Sequence, residues 1–386
     1  MEEKKEKKVS KNEKKEKKNN KKILLLLLLL ILTGVLLSTS TFAWFTSNRT
    51  VTVEDINVNV AASSGIQVSV DGSSWKSIIT NADILGAHTT YAAATNQLPT
   101  TLRPVSTAAK TLNNGYLSMW LGTVSTSETA ANRGQYILST TDVSTVKDNS
   151  DEEAGDSAGL SGNFVMFDLF VRLDDNSSTA TQTLYLTNGS NVVIQQNASD
   201  LGTQNSARVA FINEGSTATG SALSSIQSMT TSSSSNIYVW EPNYDAHTST
   251  GLANAYSYYN NANSGNQYSS ATITPAVQVP YFGTTGAVAV NDDVLLSKAN
   301  ATDNPTKFAA ITPTIATEAN WASGSTYEEL FDLTPNAIVK MRVYFWIEGQ
   351  DIDCENNASG GNIALKLQFS LNDGPANSGT SEPEEP

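Results

Sequence analysis

Residues 337–349 read AIVKMRVYFWIEG. Val339, Met341, Val343, Phe345 and Ile347 alternate with Lys340, Arg342, Tyr344, Trp346 and Glu348. Successive side chains of a strand point to opposite faces, so this alternation predicts a strand with one face on a core and the other toward water. Residues 361–374, GNIALKLQFSLNDG, repeat the pattern with Ile363, Leu365, Leu367, Phe369 and Leu371. The two runs are expected to pair, with QDIDCENNASGG as the connecting loop.

The same reading extends outward. In FVMFDLFVRL (164–173), Val165, Phe167, Leu169, Val171 and Leu173 form the inner face, and Asp168 and Arg172 point outward. TQTLYLTNG follows a polar turn, DDNSSTA, and reads as the neighbour of that strand. SARVAFINEG is a further short strand. GIQVSVDGSSWKSI places Ile66, Val68 and Val70 before an Asp71-Gly72 turn signal, with Trp75 beyond it. Past residue 22 the chain is rich in Ser, Thr, Asn, Ala and Gly and poor in Lys and Glu, a mixture that disfavours long helices and suits strands joined by polar loops. The expected class is all-β, with one domain over 44–371, a long polar insertion at 214–335 and a disordered acidic tail at 372–386. Tyr256, Tyr258 and Tyr259 are expected to pack within the insertion.

The N-terminus carries a different signal. Residues 1–22 hold 11 Lys and 5 Glu, a basic segment that the positive-inside rule keeps cytoplasmic. Ile23–Leu37 follow as 15 mostly apolar residues, about 22 Å as a helix, the length of a secretory h-region. Small residues at Thr41 and Ala43 place signal cleavage between Ala43 and Trp44. Counted through Phe45 the segment is 23 residues, about 34 Å, long enough to stay as a membrane anchor. Both readings stand at this point. Beyond residue 22 the chain has 13 basic against 33 acidic residues, which repels nucleic acid and anionic lipid. The single cysteine, Cys354, excludes an internal disulfide and is expected as a small buried side chain.

Just past this segment the alternation changes phase. Val51 and Val53 sit on odd positions, whereas Ile56, Val58 and Val60 sit on even ones. One straight strand cannot bury both sets on one face. Either a bulge near Glu54-Asp55 reconciles them, or residues 44–53 form a separate arm that packs elsewhere, on another molecule for instance.

Catalytic chemistry is sparse. GDSAG (155–159) matches the nucleophile-elbow pattern at Ser157, but it sits in an acidic glycine-rich loop, and only His88 and His247 exist as bases. GSTATGSAL (215–223) has phosphate-loop glycine spacing without the lysine that phosphate requires. Two histidines so far apart in sequence argue against zinc. LPTTL (98–102) lacks the glycine and hydrophobic tail of a wall-sorting signal. The remaining metal candidates are weak calcium sites. They are the acidic loop with Asp148, Asp151 and Asp156, and DIDCENN with Asp351, Asp353 and Glu355 at alternate positions but no sixth-position glycine. A solvated acidic loop is the default for both, and no cofactor is expected.

A hydrophobic signal ending in TFAWFTSNRTVTV, the strand FVMFDLFVRL and the final strand IALKLQFSL together resemble the TasA/camelysin family of exported proteins of Gram-positive bacteria, which assemble biofilm-matrix fibres. VWEPNYDAHT and WIEGQDIDCENNASGGNIAL are similar to elements of related exported proteins. The resemblance implies a jelly-roll-like β-sandwich. It also implies a homopolymer in which residues 44–53 are donated to the next subunit, with Phe45, Val51 and Val53 filling pockets. Other matrix components are further implied partners. Family members described as metalloproteases do not transfer that activity here, because the sequence shows no zinc ligand set. The alternative is a membrane-anchored adhesin or binding domain that retains residues 23–45.

Overall fold

The computed structural model describes residues 51–60, 65–99, 101–107, 111–113, 115–125, 137–145, 161–174, 179–194, 200–252, 282–289, 304–318, 326–354 and 362–371, with single positions 294, 301 and 321. All of them fall in the unit Trp44–Pro386. The hydrophobic segment 23–45, with the proposed cleavage pair Ala43 and Trp44, lies outside the described residues. So do Asp148, Asp151, Asp156, Ser157, Glu355, the Tyr256–Tyr259 patch and the tail from 372. Among the described residues no helix is long and apolar enough to cross a membrane.

The described chain is mostly β, with two principal sheets. The six-stranded sheet runs, in spatial order, Ile315–Ala316, Ile237–Glu241, Ala207–Ala218, Ala337–Ile347, Val165–Leu173 and Ile66–Ser69. The eight-stranded sheet runs Glu328–Leu333, Gln182–Leu186, Asn362–Ser370, Val51–Val60, Thr101–Leu102 and Ser161–Gly162. In it, Asn191–Ile194 also pairs with Asn362–Ser370, and Ile78–Ile79 with Val51–Val60. The odd-numbered side chains of Ala337–Ile347 and Asn362–Ser370 meet in one hydrophobic cluster drawn from both sheets. Phe211 of one sheet packs edge-on against Phe369 of the other at 6.0 Å.

Two pairings differ from expectation. Ala337–Ile347 and Asn362–Ser370 are not neighbours; they lie in different sheets. The 14 residues between them exceed the two to five of a common hairpin loop. Placing them in opposite sheets lets both odd-numbered faces share one core. Gln182–Leu186 likewise leaves Val165–Leu173 and pairs with Glu328–Leu333 and Asn362–Ser370. Residues 214–335, read from sequence as a long polar insertion, supply short strands to both sheets: Ile237–Glu241 and Ile315–Ala316 to one and Glu328–Leu333 to the other.

A third difference concerns the supposed water-facing side of Ala337–Ile347. Lys340, Arg342, Tyr344 and Trp346 are all buried. Tyr344 and Trp346 join Met166, Ala210, Ile212 and Val239 in a second apolar cluster, covered by Val105, Leu117, Met119 and Ile311. Near-continuous apolar runs are the mark of a strand covered on both faces. Asn362–Ser370 keeps the expected alternation, buried at odd positions from Ile363 to Phe369 and half-buried at Ala364, Lys366 and Gln368.

The phase change at the N-terminus resolves as a bulge. Val51–Val60 is one strand, parallel to Asn362–Ser370, with Val53 opposite Ile363 and Asp55 opposite Ala364. Glu54 is the extra residue, and inserting it restores register for both halves. Val51 and Val53 therefore do not form an arm distinct from Ile56–Val60, and Phe45 lies outside the described residues. On its other side, among the described residues, the strand is paired near its ends, at Val51–Thr52 with Thr101–Leu102 and at Val58–Asn59 with Ile78–Ile79.

Candidate functional site: two buried charge clusters

Ion pairs inside apolar strands define two clusters on the six-stranded sheet. The first is built on direct cross-strand partners, Asp168 and Arg342. Arg342 Nε donates to Asp168 Oδ1 at 2.8 Å and Nη2 to Oδ2 at 3.3 Å, a forked pairing. Lys340 Nζ lies 3.2 Å from Asp168 Oδ2 and donates to the Tyr91 hydroxyl and to the carbonyls of Gln227 and Met229. A bulge between Asn213 and Gly215 leaves Glu214 unpaired in the ladder, and its carboxylate sits 3.3 Å from Arg342. Gly215 adopts φ 122°, which a side chain would resist. Two cations thus face two carboxylates. Burial pushes the Asp168 pKa up, but Arg342 and Lys340 outweigh it and hold the carboxyl below its ordinary value. Burial raises Glu214 and lowers Lys340. Above them opens a cavity of about 400 Å³ lined by Tyr91, Tyr116, Thr95, Gln227, Lys340 and Arg342.

The second cluster lies at the other end of the central strand. Arg208 is fully buried on Ala207–Ala218. Its Nη1 donates to the carbonyls of Asn205 and Ala207, and its Nη2 to Glu241 Oε1 at 2.6 Å and to Asp351. The turn after the central strand brings Asp351 and Asp353 together, with Asp353 N donating to Asp351 Oδ1 at 2.9 Å. Asp353 Oδ1 accepts from Thr248 N and Oγ1 at 2.8 and 2.9 Å. Asp353 Oδ2 lies 2.7 Å from His247 Nδ1. Gly251 lets these segments touch, because a Cβ there would lie 2.6 Å from Asp353 Oδ1. Beside the cluster, Glu348 accepts from Trp346 Nε1 and Gln350 N. Burial lifts the Glu348 pKa to about 7 and raises those of Glu241 and Asp353. Glu241 Oε2 is buried with no hydrogen-bond partner.

Asp351 and Asp353, read from sequence as a solvated calcium loop, are therefore interior residues. The structure adds His247 to them, with one potential ligand atom of each residue within 4.8 Å of the others. The absence of a zinc ligand set inferred from sequence overlooked this convergence, since His247 lies over a hundred positions away. Asp168, pictured as facing solvent, is buried too. Arg208, Glu214, Glu241, Lys340 and Arg342 escaped the sequence reading as functional candidates. Their signal was a charge set within an apolar run, as in SARVAF and IVKMRV. Cys354 is buried in the main core, as its type suggested. No family model, curated protein or solved structure matches the chain.

Proposed function

We propose that this chain is an exported structural subunit of the cell surface or extracellular matrix, which self-assembles into fibres by exchanging its N-terminal strand. The observation that carries this reading is the pairing of Val51–Val60, the first described strand, which runs in parallel register with Asn362–Ser370 over nearly its whole length and touches Thr101–Leu102 and Ile78–Ile79 through two residues each. Withdrawing it bares the edge of Asn362–Ser370 and releases the short strands Thr101–Leu102 and Ile78–Ile79, so an incoming copy must restore both contacts. The same segment of a second copy fits that slot in the same register, and exchange of an identical element is a low-cost route to a homopolymer. Main-chain hydrogen bonds supply affinity, and the Glu54 bulge fixes register. The donated element is then Val51–Val60, extending past the 44–53 read from sequence. Two facing sheets with a shared core are compatible with a jelly-roll sandwich. Export rests on the hydrophobic run after a basic segment and on the acidic remainder of the chain.

The test uses the chain from Trp44, with Thr52→Cys and Asn362→Cys placed on register partners in a Cys354→Ala background. Under assembly conditions, oxidation is expected to give a ladder of covalent multimers, and electron microscopy filaments. Purely intramolecular disulfide in filaments, or filaments formed by a chain lacking 51–60, overturns the exchange. The alternative is a membrane-anchored adhesin that retains 23–45; the open cavity beside Tyr91 and Tyr116 favours it. An uncut N-terminus in the membrane fraction selects that alternative.

A further inference from the structure

We propose that His247, Asp351 and Asp353 form a buried three-ligand site for one divalent transition-metal ion, with zinc the fitting probe. The three side chains come from two separate segments and converge in the interior, with His247 and Asp353 side chains 3% and 0% exposed. One imidazole and two carboxylates suit zinc; a nitrogen ligand is poorly matched to calcium, which takes oxygens.

Charge balance points the same way. Arg208 is the permanent cation here, set against Glu241, Asp351 and Asp353. Among the described residues, and with the imidazole neutral, a single guanidinium leaves two negative charges uncompensated in a dry interior, a costly state that a proton on His247 only half relieves. A divalent ion beside a neutral imidazole cancels them. The second observation is independent of the ligand triad. Glu241, 3% exposed, shares one Arg208 nitrogen with Asp351, and its other oxygen, Oε2, is buried with no hydrogen-bond partner.

Binding is an exchange of ion for proton. From the ion-paired form, in which His247 carries a proton on each ring nitrogen, the Nδ1 proton leaves to solvent while Nε2 keeps its own; the neutral imidazole's Nδ1 and the carboxylate oxygens become ligands, and no electron is transferred. The 2.7 Å contact must open to about 3.3 Å, the ligand spacing around tetrahedral zinc. Thr248 holds Asp353 Oδ1 in place through its N–H and hydroxyl while this occurs.

The chain has only two histidines, so ring-¹⁵N-labelled protein gives a direct readout. In a His88→Gln variant the remaining imidazole is His247. Zinc chloride alone, titrated into EDTA-stripped protein from Trp44 onward, is expected to shift its Nδ1 resonance with saturation at one ion per chain. Millimolar calcium is expected to leave that resonance in place. Asp353→Asn is expected to weaken zinc binding about tenfold or more. An unmoved His247 resonance overturns the site, as does equal zinc affinity in a folded Asp353→Asn. If Asp353→Asn does not fold, the His247 resonance alone decides. Neither outcome bears on strand exchange, which is tested separately.

Discussion

The two charge clusters sit on one sheet, are built from the same residue types, and differ in balance. Around Asp168, two cations meet two carboxylates, and the forked Arg342 pairing spans adjacent strands. Around Asp351, one arginine on the strand Ala207–Ala218 serves several carboxylates, and Asp351 and Asp353 themselves lie in a turn. The first arrangement can be complete within the protein. The second is incomplete without protons or a cation. Burial is common to both, so the contrast isolates stoichiometry of charge as the feature that separates a lock from a site.

Removing the central arginine of each cluster gives the largest expected effect. Arg342→Leu strands Asp168 and Glu214 in the interior and should cost about 3–5 kcal/mol, measured by urea unfolding at pH 7. Arg208→Leu should cost a similar amount at pH 7. The two are expected to part on acidification. Glu241 and Asp353 already have raised pKa values, so protons relieve the Arg208 variant. In the Arg342 variant Glu214, also raised, can take a proton, whereas Asp168 keeps Lys340 as a partner, so acid relieves only part of that loss. Equal recovery of both variants at pH 5 would erase the distinction drawn here.

The pH profile of the unaltered protein, measured in EDTA, sharpens the contrast through opposite signs. Glu348 has a folded pKa near 7, above its ordinary 4.5, so between those values the folded state binds more protons than the unfolded. Its contribution therefore falls as pH rises through that window, by on the order of 3 kcal/mol, and levels off above pH 7. Asp168 works the other way: its folded pKa is depressed, so its stabilisation is present above the unfolded value and is lost as pH falls through the folded one. Glu348→Gln should flatten the slope between pH 5 and 7 while leaving the acid limb intact. A slope unchanged in Glu348→Gln would remove that residue from the account.

Gly251→Ala tests the packing behind the second cluster. The added methyl meets Asp353 Oδ1 at 2.6 Å and the Ile352 carbonyl at 2.9 Å, so one segment must move. A loss of about 1–3 kcal/mol is expected in thermal or urea unfolding. Gly86→Ala, where nothing lies within 4 Å, provides the control and should change stability by less than about 1 kcal/mol.

Much of the β framework was legible because period-two alternation is a local property. Asn362–Ser370 reads correctly from its own residues, while the phase change across Glu54 offered the bulge as one of two readings, the other being a separate arm. What was not legible is who pairs with whom. Ala337–Ile347 and Asn362–Ser370 carry the same pattern whether they share a sheet or face each other, and loop length was the clue that they do not pair. The outer face of Ala337–Ile347 was misread because Tyr344 and Trp346 carry polar atoms on large apolar rings, and whether such a face is covered depends on distant loops such as those bearing Leu117 and Met119. The candidate metal site was half visible, as Asp351 and Asp353. Its histidine arrives from 104 positions upstream of Asp351, and no spacing rule reaches that far.

The smallest effect belongs to an ion pair outside both clusters, and it shows what burial adds. Lys76 pairs with Asp83, which also caps the helix Asn81–Gly86 by accepting from Thr80 N at 2.9 Å. The lysine side chain is 49% exposed. Water competes for both charges there, and fixing a long side chain costs rotamer entropy, so Lys76→Ala should cost no more than about 1 kcal/mol. Asp83→Ala should cost somewhat more, by about 0.5–2 kcal/mol, because the capping box is lost along with the charge. A double-mutant cycle separates the two contributions, and added salt should reduce only the coupling between Lys76 and Asp83. If Lys76→Ala instead costs as much as Arg342→Leu, then desolvation does not set the scale of these pairs, and the contrast between locked and unfinished clusters loses its physical basis.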